Sequence, residues 1–93
     1  MTKLVDIDGM LSIRVLFFGR LADLVTQPEF EYSISPGSTL IELYEELCTK
    51  NADLPSLHED SSLNVAQNQS LADWQTPIEA KDEIAFLPPV TGG

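Results

Sequence analysis

Hydrophobic positions change period along the chain, and the changes mark out its elements. The strongest pattern starts at Thr39. Leu40, Leu43, Tyr44, Leu47 and Cys48 fall at i, i+3, i+4, i+7 and i+8, one apolar stripe with Glu42, Glu45 and Glu46 away from its centre. Thr39 and Glu42 have capping-box spacing, and Pro36-Gly37 is a turn just before them. A helix is therefore predicted from this cap to a terminator near Asn51.

The flanking segments follow a period of two. Ser12-Ile13-Arg14-Val15-Leu16-Phe17-Phe18 is rich in β-branched and aromatic residues and is stopped by Gly19, which predicts a first strand. Ile13, Val15 and Phe17 alternate onto one face, and Arg14, Leu16 and Phe18 onto the other. Residues 20–25 are predicted as a short helix ended by Gln27-Pro28. In Glu29-Phe30-Glu31-Tyr32-Ser33-Ile34 the apolar residues point inward and the acids outward, the pattern of a half-buried second strand. After the long helix, residues 53–62 read as a polar loop and Leu63-Asn64-Val65-Ala66 as a short strand. Gln67-Asn68-Gln69 is a turn, and residues 70–78 form a winding segment anchored by Leu71 and Trp74. Ala80-Lys81 turns the chain into a last strand, Ile84-Ala85-Phe86-Leu87. Residues 1–11 are expected to be a disordered extension, with Met10 an alternative start.

A hairpin, one long helix and then further strands with the last one central is the β-grasp order, an α+β fold spanning residues 12–87. One helix covers only one face of so small a sheet. The other face should be polar, as it is on the second strand. On the first and last strands it is not: Leu16, Phe18, Ala85 and Leu87 alternate with the core-facing Val15, Phe17, Ile84 and Phe86. Either the winding segment around Leu71 and Trp74 covers them, or an exposed apolar patch lies beside the end of the chain. Such patches mark partner sites.

Composition narrows the chemistry. Ninety-three residues suit one domain without disulfide staples, and the lone Cys48 has no partner for an internal bridge. Fifteen acids against five bases give a net charge of −10, which disfavours nucleic acid and anionic membrane and favours a partner with a basic face. No stretch reads as a signal peptide or a transmembrane segment, so a reducing, cytoplasmic setting is expected. No self-contained catalytic set is visible. His58, the only histidine, sits in the polar Leu57-His58-Glu59-Asp60, and Cys48 lies on the apolar stripe of the helix, where packing is the simpler role. No metal-ligand spacing is present, and no cofactor is expected to bind this chain.

The last residues, Pro88-Pro89-Val90-Thr91-Gly92-Gly93, follow the final strand. Two prolines cannot donate to a sheet ladder and hold the chain extended. Six extended residues reach at most roughly 20 Å. A diglycine end contributes nothing to packing, but it offers the least hindered carboxylate a chain can carry. Residues 88–93 thus read as a flexible functional tail that can enter a narrow pocket on another protein.

The string Asp82-Glu83-Ile84-Ala85-Phe86-Leu87-Pro88-Pro89-Val90-Thr91-Gly92-Gly93 closely resembles the C-terminus of the small, sulfur-carrier subunits of molybdopterin synthase, MoaD-like proteins of ubiquitin-like β-grasp fold. The resemblance extends from about Ile13 to Gly93. It includes Val15-Leu16-Phe17-Phe18-Gly19, Pro36-Gly37-Ser38-Thr39-Leu40, Ala66-Gln67-Asn68-Gln69 and Thr76-Pro77-Ile78. It departs at Lys81, where the family usually has glycine, so that turn is expected to be strained or differently shaped. The resemblance implies that an E1-like, MoeB-like adenylyltransferase uses ATP and Mg to adenylate Gly93, and that a sulfur donor protein then yields a thiocarboxylate. It implies further that the tail enters a MoaE-like large subunit in a heterotetramer. There the sulfur would attack the cyclic pyranopterin monophosphate precursor, two rounds building the dithiolene of molybdopterin. In that reading Gly92 lets the tail through, Pro88, Pro89, Val90 and Thr91 guide it, and Leu16, Phe18, Leu71 and Leu87 hold the partner.

Three other readings share parts of this evidence. A thiamine-pathway sulfur carrier would have the same fold and terminal chemistry, but such carriers generally lack the Leu87-Pro88-Pro89 step. A ubiquitin-like modifier would join Gly93 to lysines of other proteins. A plain β-grasp interaction module would keep its function without Gly92-Gly93.

Overall fold

The computed structural model describes residues 9–89. Most of the expected extension, residues 1–8, and most of the expected tail, residues 90–93, lie outside the described residues. Five strands follow in chain order, β1 (Leu11–Phe17), β2 (Glu29–Ile34), β3 (Asn64–Gln67), β4 (Ser70–Ala72) and β5 (Glu83–Leu87), with one helix, α1 (Leu40–Lys50), between β2 and β3. They form a single sheet in the order β2-β1-β5-β3-β4. The last strand is the central one, parallel to β1 and antiparallel to β3. This mixed sheet around one helix is the β-grasp that the order of elements predicts.

Local chemistry accounts for the helix. The Thr39 side chain accepts from the Glu42 N–H at 3.4 Å, and Glu42 Oε1 accepts from the Thr39 N–H at 2.9 Å, a complete capping box. The next free donors, the N–H groups of Leu40 and Ile41, bond to the carbonyls of Thr76 (3.0 Å) and Trp74 (2.8 Å). The segment after β4 therefore closes the N-terminus of α1, and Asn51 ends the helix. The stripe residues Leu40, Leu43, Tyr44 and Leu47 are all buried.

Phe86, in the middle of β5, is the hub of the core. Its ring lies 5.0 Å from that of Tyr44, 5.4 Å from Phe17 and 6.0 Å from Trp74, the last stacked at 11°. The Tyr44 hydroxyl donates to the Pro55 carbonyl at 2.6 Å and so ties the loop after the helix to the core. Burial pushes the Tyr44 phenol above its ordinary pKa.

Several boundaries differ from the expected ones. β1 begins at Leu11, which is only 3% exposed, so this residue belongs to the core and not to an extension. The short helix after β1 is a 3-10 helix, Gly19–Leu24. The third strand runs Asn64–Gln67, and the turn narrows to Asn68 and Gln69, both with positive φ (53° and 73°), as a two-residue hairpin loop requires. The winding segment starts as an edge strand, β4, paired to β3. Three residues, two of them polar or small, carry too little pattern to announce a strand.

Candidate functional site

The open face of the sheet is built by register. Pairing sets Leu16 beside Ala85, Ala85 beside Ala66 and Ala66 beside Leu71, one row across β1, β5, β3 and β4. Leu87 follows two residues further along β5, and Phe18 continues past the end of β1. Two alanines in the middle and larger side chains around them leave a trough of about 480 Å³, lined by Leu16, Phe18, Ala66, Gln69, Leu71, Glu83, Ala85 and Leu87. Phe18 is 45% and Leu71 69% exposed. The winding segment therefore does not cover the patch. Its two anchors part company: Leu71 joins the open trough, while Trp74 turns to the helix side and stacks on Phe86. All four residues predicted to hold a partner, Leu16, Phe18, Leu71 and Leu87, line this one depression.

The other end of the same face is charged. Register puts Glu31 beside Arg14 and Arg14 beside Glu83, and the Arg14 guanidinium pairs with Glu29. The face is thus divided along the strands into an acidic half and an apolar half.

The root of the tail lies at the apolar end. The Phe18 N–H donates to the Phe86 carbonyl at 3.0 Å, and the chain then turns at Gly19 with φ +59°. A Cβ on Gly19 would stand 2.7 Å from Cγ of Pro88, so this close approach needs a residue without one. Pro88 leaves β5 packed against the turn that follows β1, and both Pro88 and Pro89 are half-buried. The remaining tail residues predicted to act, Val90, Thr91, Gly92 and Gly93, lie outside the described residues.

One buried group escaped the sequence reading. The Asp82 carboxylate is 7% exposed and accepts from Gln67 Nε2 (2.8 Å), Asn68 Nδ2 (2.9 Å) and the Glu79 N–H (2.8 Å). Asn68 also exchanges bonds with the backbone of Glu83, so this clasp fastens the start of β5 to the β3–β4 turn. Its signal in the sequence was only an acid ahead of a strand and two amides in a turn. Beside it, Lys81 adopts φ +67°, the left-handed conformation expected to be strained for a residue with a side chain.

The residues weighed for catalysis stand apart. His58 is exposed in the loop after α1. Cys48 is half-buried against the core; burial pushes its thiol pKa up, although Tyr44 beside it acts in the opposite sense. Among the described residues no group of His, Cys, Asp and Glu could hold a metal ion, and no helix is long and apolar enough to cross a membrane. What the site can do is bind: a shallow apolar trough next to a rigid exit for the chain end.

Comparison with known proteins gives this geometry a context. Residues 15–93 match the model of the ThiS family. The chain is 35% identical over 81 residues to the molybdopterin synthase sulfur carrier subunit of Escherichia coli K12, covering 87% of this chain and 99% of that protein. The subunit of the same name from Arabidopsis thaliana is 33% identical over 89 residues, covering 95% and 90%. Among solved structures, the complex of subunits 1 and 2 of the molybdopterin-converting factor from Helicobacter pylori contains a chain 27% identical, with a TM-score of 0.59 and coverage of 89% and 100%.

Proposed function

The chain belongs to the ThiS family, and on that premise we propose that it is the sulfur-carrier subunit of a molybdopterin synthase. The observation that carries this reading is the match to relatives of that name along nearly their whole length, continuing in this chain to Gly93. The open trough beside the tail root supports it, because a carrier must be held while its end is used.

The chain supplies no catalytic residue in this reading. Its reactive group is the Gly93 carboxylate, a poor electrophile until activated. An E1-like, MoeB-like enzyme joins a carboxylate oxygen to the α-phosphate of Mg-bound ATP, and pyrophosphate leaves. Sulfide-level sulfur from a donor protein then attacks the acyl carbon, AMP leaves, and Gly93 becomes a thiocarboxylate. Leu16, Phe18, Leu71 and Leu87 dock on a MoaE-like large subunit, within a heterotetramer. Removing Phe18 and Leu71 from water contributes about 2 kcal/mol each to that docking. Pro88 and Pro89 hold the tail extended, Val90, Thr91 and Gly92 pass through the channel, and the terminal sulfur attacks the cyclic pyranopterin monophosphate, after which water cleaves the acyl–sulfur bond and returns the Gly93 carboxylate. Two rounds build the dithiolene. The setting is the cytoplasm.

The test is the intact mass of the protein after incubation with ATP, Mg, the activating enzyme and a sulfur source. Replacement of one oxygen by sulfur, localised to the C-terminal peptide, is the expected result. An unchanged mass with an active enzyme and an intact tail would refute the carrier role. In a reconstituted synthase, one extra residue after Gly93 should abolish product formation while the domain stays folded.

A further inference from the structure

On the helix side of the sheet, at its β2 edge, that strand is incompletely covered. Phe30 and Tyr32 face the helix layer but are only half-buried, whereas the core-facing residues of β1 and β5 are at most 3% exposed. Between β2, the chain after the 3-10 helix and the last turn of α1 lies a groove of about 220 Å³. Val25, Phe30, Tyr32 and Leu47 line it, with Lys50 on its helix wall.

β2 is also the outer strand of the sheet. The Phe17 N–H donates to the Pro28 carbonyl at 2.7 Å, which identifies the bonded pairs of the antiparallel ladder. By alternation, the backbone groups of Phe30 and Tyr32 turn toward β1, and those of Glu29 and Glu31 point outward from the edge. The side chains of Glu29 and Glu31 stand on the open face of the sheet, both exposed, with Arg14 paired to Glu29. An edge like this discourages pairing with an acidic strand, since like charges directly across strands repel.

We propose that this edge receives an extended segment of a partner protein in which basic and apolar residues alternate. The segment's backbone pairs with the outward N–H and C=O groups of Glu29 and Glu31. Successive side chains of a strand point to opposite faces, so its apolar residues enter the groove and its basic residues meet Glu29 and Glu31. Lys50 lies on the groove side of the sheet and does not oppose those cations. The net charge of −10 attracts such a segment from a distance. The groove and the apolar trough lie on opposite faces of the sheet, so a side chain held in the groove does not cover the trough. The inference does not depend on the sulfur-carrier reading.

The test is a titration of the isotopically labelled full chain with a capped peptide of about eight residues alternating lysine and valine. Saturable shifts at the amides of Val25, Glu29, Glu31 and Tyr32 are expected. Binding should weaken with added salt and drop roughly fivefold in Glu31→Lys. Val25→Lys, which puts a charge into the groove, should abolish it, with a thermal melt to verify folding. Should that variant unfold, Glu31→Lys on the exposed face decides between the outcomes, and unweakened binding there would overturn the proposal. No saturable shift at millimolar peptide would overturn it as well. So would equal binding of a peptide with glutamate in place of lysine, or shifts confined to Leu16, Phe18, Leu71 and Leu87.

Discussion

Val15, Phe17, Ile84 and Phe86 point to the helix and are at most 3% exposed. Leu16, Phe18, Ala85 and Leu87, their neighbours in the chain, point to the other face, and each remains partly or largely exposed. The two sets differ little in hydrophobicity, so burial is decided by which face the domain can cover with its own residues. One helix covers one face. On β2 the open-face positions are polar instead, Glu29, Glu31 and Ser33. The contrast of β2 with β1 and with the central β5 separates a polar open face from an apolar one.

The largest effect should come from the covered face. Phe86→Ala leaves a cavity among three aromatic rings and is expected to cost about 3–5 kcal/mol in urea unfolding. In a small domain of marginal stability that is a large share of the total. A loss near 1 kcal/mol would show that Phe86 is not the hub. Next is the clasp. Asp82→Ala takes the acceptor from the Asn68 amide and the Glu79 N–H, leaves Gln67 only its bond to the Pro77 carbonyl, and should cost about 2 kcal/mol. The open face should respond differently. Phe18→Asp is expected to alter unfolding by no more than about 0.5 kcal/mol. Its affinity for the large synthase subunit should fall about tenfold or more, that is about 1.4 kcal/mol. An unfolded Phe18→Asp protein, or one that binds normally, would erase the distinction between the faces.

Much of this was legible in the sequence for specific reasons. The helix announced itself through a capping box and five stripe positions, and β2 through strict alternation. The patch was visible because β1 and β5 are apolar at consecutive positions, which one-sided burial does not require. Which way the winding segment would go was not legible. Leu71 and Trp74 are both large and apolar, and only the short β4 pairing sends one to each side. The clasp stayed hidden because its members, Gln67, Asn68, Glu79 and Asp82, lie as far as 15 positions apart and each is an ordinary polar residue alone. The groove beside β2 was equally hidden. Alternation said that Phe30 and Tyr32 point inward, not that the helix stops short of covering them.

Lys81 offers the converse of the Phe18 experiment, a change in stability without a change in binding. The Lys81 N–H donates to the Ser12 carbonyl at 2.7 Å, and this bond holds the turn into β5 at φ +67°. A side chain in that conformation costs roughly 1–2 kcal/mol. Glycine removes the strain but adds freedom to the unfolded chain, a loss of roughly 0.5–1 kcal/mol. The balance favours Lys81→Gly by about 0.5–1 kcal/mol, whereas Lys81→Ala keeps the Cβ and should gain nothing. The side chain is exposed and does not line the apolar trough, so affinity for the large subunit should not move. Equal stability of the glycine and alanine variants would mean that the turn holds no strain. A glycine variant that binds more weakly would mean that the entry into β5 sets the presentation of Leu87 and the tail root, and that the two faces are coupled through this turn.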